Sequence, residues 1–319
     1  MKLFAPGGRK LVDDEQEAIE QLLDEPAQQN GGQVYEGLEV DRQYVDVVCE
    51  RFGASLDGLR MVVDCANGAM YEVAPAVLER LGAHVVTVGN EPDGLNINVG
   101  CGATDLSLLQ KTVRGGDFDL GVAFDGDGDR VLAVDAGGNE VDGDQTLAVV
   151  ALHLGVDLVA VTQMTNLGFH RLMEERGVRV VTTDVGDRYV AEALRREGGL
   201  LGGEQSGHLL YLRGHSTGDG LVAALLLCRA IVESGRSLAE LGAQMPKLPQ
   251  AKTNVPVRSQ EIPASLRARI DELAGQGRVV VRPSGTEPVV RVLAEAETEQ
   301  AASELCGRIA ALVSGELGF

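Results

Sequence analysis

Apolar positions recur at helical spacing in two segments near the start of the chain, and the spacing predicts a helix over Asp13 to Leu23 and another over Asp41 to Phe52. The polar stretch PAQQNGGQ between them, with Asn30-Gly31-Gly32, reads as a loop. No strand pattern accompanies these helices, so residues 1–56 look like part of a domain. From Leu59 the pattern changes. Short apolar runs, Met61 to Cys65, His84 to Val88 and Leu120 to Phe124, predict strands and alternate with helical patterns at Ala74 to Leu81 and Leu106 to Val113. Such alternation argues for a βαβ sheet with helices packed on both faces.

A second series follows: helix near Gln145 to Leu154, strand Leu158 to Thr162, helix Leu167 to Glu175, strand Val178 to Thr182, helix Arg188 to Arg195. It repeats the first in kind, which argues for duplication although no clean sequence period carries it. A long apolar helix from Gly220 to Val232 ends before Pro246 and Pro249, a natural boundary. Beyond it, strands near Thr253 to Val257, Gly277 to Val281 and Val289 to Ala294 and helices near Pro263 to Leu273 and Glu299 to Val313 predict a small α+β domain. The fold class is α/β: two successive α/β domains, a small α+β C-terminal domain, and a partial domain in front.

Length agrees, since 319 residues are two or three domains at about 150 residues each. Charge narrows the partners. Against 28 Lys and Arg stand 48 Asp and Glu, a net charge of -20, and long-range repulsion on that scale excludes nucleic-acid backbones. An anionic ligand must therefore be small and met by a local basic pocket. The longest apolar run, Leu221 to Cys228, is far below the roughly 20 residues of a membrane span, so no membrane partner is expected. The opening MKLFAPGGRK is not a secretory signal, because its apolar stretch is interrupted at Pro6. Five scattered cysteines (Cys49, Cys65, Cys101, Cys228, Cys306) without metal-site spacing read as buried thiols in a reducing cytoplasm.

Three loops carry candidate chemistry. Asp125-Gly126-Asp127-Gly128-Asp129-Arg130 directly follows an apolar strand. Carboxylates at alternate positions, with glycines that let the backbone curl, converge on one hard cation, and Mg²⁺ is the natural candidate because it works with few carboxylates and a substrate phosphate. An EF-hand calcium loop is excluded, since it needs Gly sixth and Glu twelfth where this chain has Arg130 and Ala136. The second is Gly202-Gly203-Glu204-Gln205-Ser206-Gly207-His208. In extended chain Glu204, Ser206 and His208 would point the same way and suit sugar hydroxyls, while a polar hairpin turn is the competing reading. In the third, Arg282-Pro283-Ser284-Gly285-Thr286-Glu287-Pro288, a guanidinium, two hydroxyls and backbone N–H groups form a nest for a phosphate dianion, against the alternative of a plain inter-strand turn. Val185-Gly186-Asp187-Arg188 and Thr217-Gly218-Asp219-Gly220 read as helix N-termini.

Metal, sugar and phosphate loops in this order resemble the α-D-phosphohexomutase superfamily over essentially the whole chain. The stretches VVDCANGAMYEVAP, EPDGLNINVGCGATD, AFDGDGDRV, GGEQSGH and RPSGTEPVVRV, with Gln205 in the sugar loop, resemble its bacterial phosphoglucosamine mutase branch. The resemblance implies an isomerase of hexosamine phosphates, interconverting glucosamine 6-phosphate and glucosamine 1-phosphate through a phosphoserine and a bisphosphate, and leaves room for a homodimer. It implies Mg²⁺ at Asp125, Asp127 and Asp129 with Arg130 assisting, the sugar at Glu204, Ser206 and His208, and the resting phosphate at Arg282, Ser284, Gly285 and Thr286. It also implies a remnant of a first domain over 1–56, α/β domains over 57–143 and 144–247, and an α+β domain over 248–319.

The family's catalytic serine lies in a segment like S-A-S-H-N-P, shortly before a stretch that MKLFAPGGRK resembles. The phosphoserine loop is therefore expected to be absent from this chain, which on that reading lacks turnover alone. Lys2 aligns with a family lysine implicated in proton transfer. Competing readings are a non-catalytic sugar-phosphate binding module, another phosphohexomutase such as phosphomannomutase/phosphoglucomutase, and a haloacid-dehalogenase-type phosphatase. The last is disfavoured because Asp129 stands where that family usually has Thr.

Overall fold

The computed structural model describes residues 4–6, 9–22, 40–275, 277–285 and 287–318. Contacts group the chain into two compact units, Met1–Thr162 with Val181–Gln244, and Gln163–Val180 with Met245–Phe319. The first elements are a minimal antiparallel pair, β1 (Phe4–Ala5) and β2 (Arg9–Lys10), followed by α1 (Asp13–Leu22) and α2 (Val40–Phe52). The strand pair corrects the expectation of none before residue 57. Two residues per strand are too few to leave an apolar pattern.

The first sheet contains β3 (Arg60–Asp64), β4 (His84–Val88), β5 (Leu120–Phe124), β6 (Val131–Asp135) and β7 (Glu140–Val141), in the order β4-β3-β5-β6-β7. β3 runs parallel to both β4 and β5, and β6 returns antiparallel to β5. The crossovers carry α3 (Val73–Arg80) and α4 (Ser107–Arg114). On one face α4 seats Leu109 and Val113 against Val62, Ala123 and Val134, all buried. All five residues of β5 are buried, which is why its sequence is an unbroken apolar run instead of an alternating one.

After α5 (Gly143–Leu154) come β8 (Leu158–Thr162), α6 (Leu167–Glu175), β9 (Arg179–Thr183), α7 (Asp187–Glu197), β10 (Leu201–Gly203) and β11 (Leu209–Tyr211). The sheet order is β11-β10-β8-β9, so read from its other edge the sequence β9-β8-β10-β11 repeats β4-β3-β5-β6 of the first sheet. In both, a strand ends where the order reverses, at the crevice where open α/β sheets place their ligands. β5 ends there at Phe124 and leads into Asp125, and β10 ends there at Gly203 and leads into Glu204. The long helix α8 (Gly220–Ser234) is buried along most of its length, which explains its apolar sequence. α9 (Leu238–Gly242) follows, opened by a Ser237–Glu240 capping box.

The C-terminal sheet has β12 (Gln250–Pro256), β13 (Arg278–Pro283) and β14 (Val289–Glu295) in the order β12-β14-β13, wholly antiparallel, with α10 (Ala264–Ala274) and α11 (Glu299–Leu317). Val255, Val290, Val292 and Ala294 face Leu266, Ile270, Ile309 and Val313 in its core. The layout throughout is α/β, as the sequence pattern predicts. None of the five cysteines is bonded to another, and Cys49 is half-buried where burial was expected. Among the described residues no helix is long and apolar enough to cross a membrane.

Candidate active site

β5 delivers the metal loop at its buried end. The chain turns through Gly126 and Gly128, the latter at φ +77, where a side chain would be strained. Gly128 N donates to Asp125 O at 3.1 Å and Arg130 N donates to the Asp125 carboxylate at 3.0 Å, closing the turn. One oxygen from each of Asp125, Asp127 and Asp129 falls within 4.8 Å of the others. Burial, with the Asp129 and Asp127 charges added, pushes the Asp125 carboxyl up to about 6, against the pull of the Arg130 N–H. Crowded, partly desolvated carboxylates are disfavoured as anions until a cation joins them, and all-oxygen donors suit a hard divalent ion. The residues present therefore fit Mg²⁺. The Arg130 guanidinium lies 3.8 Å from both Asp125 and Asp129 at the open side of the loop.

Backbone from three directions fixes this loop. Ala69 N donates to Gly126 O at 2.9 Å, Gly220 N to Gly128 O at 3.0 Å, and Val131 N to Gly207 O at 3.1 Å. The last bond joins the metal loop to the sugar loop. Gly207 sits at φ +89, and a methyl group there would run into Val131 O.

The sugar loop is the turn of the β10–β11 hairpin, which corrects the extended-chain reading. Glu204 N donates to His208 O at 3.1 Å and Gly207 N to Glu204 O at 3.0 Å, so Glu204, Ser206 and His208 do not share one face. Ser206 is exposed, Glu204 is half-buried, and His208 turns inward with 4% exposure. Glu204 accepts from Gly186 N at 3.2 Å, and its carboxyl is pushed up, chiefly by burial. His208 Nδ1 lies 3.7 Å from the Asp129 carboxylate and Nε2 lies 3.2 Å from that of Asp187. Burial holds the imidazole below its ordinary value, while both carboxylates pull the other way.

Lys10 pairs with Asp187. Burial would raise the Asp187 carboxyl, but Lys10 and His208 hold it below the usual carboxylate range. Asp187 opens α7, as its sequence context predicts, and it also reaches His208 and Lys10. Local sequence missed both partners of this cluster, since Lys10 and Asp187 lie 177 positions apart.

The phosphate loop belongs to the second unit. Gln260 Nε2 donates to Ser284 O and Glu287 O, each at 2.7 Å, and to Val289 O at 3.2 Å, so one side chain organises the loop. Arg282 stands opposite Arg291 in the ladder, and burial followed by that second guanidinium lowers its pKa. Both line a concavity of about 170 Å³ with Lys252 and Asn254. Among the described residues the buried Ser284 hydroxyl has no hydrogen-bond partner, and Gly285 is exposed. Paired guanidiniums and an unused buried hydroxyl suit a dianion. Lys2 and Thr286 lie outside the described residues.

Three family models match the chain: phosphoglucomutase/phosphomannomutase alpha/beta/alpha domain II over residues 42–138, alpha/beta/alpha domain III over 142–248, and the C-terminal domain over 239–312. A phosphoglucosamine mutase from Saccharopolyspora erythraea is 47% identical over 98% of this chain and 74% of its own length. A phosphoglucomutase/phosphomannomutase family protein from Burkholderia thailandensis has the same fold, with TM-score 0.79 and 22% identity over 98% of this chain and 73% of that one. So does Aspergillus fumigatus N-acetylphosphoglucosamine mutase, solved with GlcNAc-6P and magnesium, with TM-score 0.72 and 23% identity over 89% and 67%.

Proposed function

Because this chain belongs to the phosphoglucosamine mutase family, we propose that its metal and sugar loops form a site for interconverting glucosamine 6-phosphate and glucosamine 1-phosphate with Mg²⁺. The supporting observation is the junction of the two loops: His208 of one lies 3.7 Å from Asp129 of the other, and the Gly207–Val131 hydrogen bond locks them together.

Asp125, Asp127 and Asp129 would hold the cation, which when bound neutralises charge on a transferring phosphoryl group. Arg130 brings a fixed positive charge to the same edge. Glu204, presented by the hairpin turn, accepts from sugar hydroxyls, and exposed Ser206 reaches them from the tip. His208, a sugar contact from the resemblance, lies buried against Asp187 and Asp129 behind the turn, and Asp187 with Lys10 fixes the ring's surroundings. Lys2 is the candidate for proton transfer at the sugar hydroxyl, from the resemblance. Arg282, Ser284, Gly285 and Thr286 receive the phosphate that is not reacting, with Arg282 and Arg291 supplying charge in an otherwise acidic protein.

Titration of Mg²⁺ into the wild-type protein and into Asp127→Ala tests the metal assignment. Weaker binding in the variant is expected, and superimposable curves remove it. Selectivity is read from kcat/KM for glucosamine against mannose phosphates. Gln205 and its surroundings match the glucosamine branch, so a preference for mannose 6-phosphate would overturn the substrate while leaving the family.

A further inference from the structure

A polar cluster lies one step behind the metal loop in the same unit. Asp219 caps α8 with one carboxylate oxygen, which accepts from Leu221 N at 2.9 Å and Val222 N at 3.1 Å. Its other oxygen accepts from the Tyr44 hydroxyl and from His215 Nε2, each at 2.8 Å. The tautomer follows from the neighbouring contact. Ser216 N donates to His215 Nδ1 at 3.1 Å, so the ring proton is on Nε2 and is donated to Asp219. Asp219 is 9% exposed, which makes these charge-assisted bonds strong. Burial, then the Asp219 charge, drives the Tyr44 phenol upward, so it remains a donor.

Tyr44 belongs to α2, and the same helix is strapped to the segment before α8 twice more. Arg51 donates to Gly214 O at 2.8 Å, and the Phe52 ring lies 5.8 Å from the His215 ring and 6.2 Å from that of Tyr211. The helix start that Asp219 fixes is itself in contact with the metal loop. Gly220 N donates to Gly128 O at 3.0 Å, and a side chain on Gly220 would lie 2.7 Å from Arg130 O and 2.8 Å from Gly128 O. The Gly128 carbonyl belongs to the peptide that leads into Asp129. Where α8 begins therefore decides where the Asp129 carboxylate hangs.

We infer that Tyr44, His215 and Asp219 are positioning residues, a latch from α2 that sets the start of α8 and, through Gly220, the placement of Gly128 and Asp129. The route from Tyr44 to the loop runs through Asp219 and one peptide, and this is where a preformed ligand geometry gains its support. The latch stands on its own contacts, while its effect on metal affinity rests on the metal site proposed above.

The test follows backbone amide exchange without added metal in the wild-type protein, Tyr44→Phe and Asp46→Ala. Asp46 lies on α2 and pairs at an exposed position with Arg80 of α3 at 2.5 Å, so its variant perturbs the helix without touching the latch. Tyr44→Phe is expected to speed exchange at the Gly128 and Arg130 amides about fivefold, with Asp46→Ala at the wild-type rate. Mn²⁺ affinity, read by electron paramagnetic resonance, should fall about fivefold in Tyr44→Phe alone. Unchanged exchange in Tyr44→Phe, or equal acceleration in both variants, overturns the latch. A wild-type protein that fails to bind Mn²⁺ overturns the metal site instead, and the exchange rates still decide the latch.

Discussion

The metal loop and the phosphate loop are both short connections leaving a strand, and they differ in how much of their support comes from a side chain. The metal loop is pinned by main chain from three elements, through Ala69, Gly220 and the Val131–Gly207 bond. The phosphate loop adds to its own main-chain bonds, Ser284 N to Val289 O at 3.0 Å and Val257 N to Pro288 O at 3.1 Å, one organising side chain, Gln260, that donates to three carbonyls. Main-chain bracing demands glycines at close approaches and tolerates little change there. Bracing by a side chain leaves the loop's own positions freer and concentrates the risk at a single residue.

That contrast is sharpest at Gly207, where positive φ and the approach of Val131 O leave no room for a methyl group. Gly207→Ala should lower stability by about 3 kcal/mol, measured by denaturant titration, and should weaken Mg²⁺ binding because the two loops separate. Gln260→Ala comes next, at about 1 kcal/mol, because Ser284 O loses its donor while Glu287 O and Val289 O keep the main-chain donors Val289 N and Ser284 N. Its kinetic signature is a raised KM for the sugar phosphate with kcat changed less. If Gln260→Ala leaves KM alone, the phosphate loop is held by something other than Gln260.

A smaller effect concerns pH in the second unit. Burial, and then Arg278, hold the His170 imidazole below its ordinary value, with Glu295 opposing. Folding thus favours the neutral ring. The stability it contributes is complete above the unfolded value of about 6.5 and is lost as pH falls through the lower folded value. Apparent Tm should fall between pH 7.5 and 5 less in His170→Gln than in wild type, and parallel curves would refute this. The smallest effect is expected at Gly285, where an added methyl meets nothing within 4 Å. Gly285→Ala should stay within about 0.5 kcal/mol, and a loss comparable to that at Gly207 would erase the distinction between the loops.

Long periodic segments were legible in the sequence because their burial is one-sided or complete over several residues. The strands His84–Val88, Leu120–Phe124 and Leu158–Thr162 fall where their apolar runs predict. β7, β10 and β11 were not legible, being two or three residues long, with glycines in β10 where apolar residues would have marked it. β6 has an apolar run of its own, Val131–Asp135, but it starts directly after the acidic loop with no boundary residue between them. The aspartates could be read from their spacing because three carboxylates within five positions need no distant partner to make sense.

The sequence by itself determined the α/β layout, the three loops and the family, since each is written in residues adjacent along the chain. Only the tertiary structure decided that His208 turns inward while Ser206 faces outward, that Asp187 and Lys10 join the sugar loop, and that Gly207 ties that loop to Val131. Those facts depend on main-chain turns and on pairs 21 to 177 positions apart. Local propensity carries no information about such pairs, because their energy appears only when the sheets have brought the residues together.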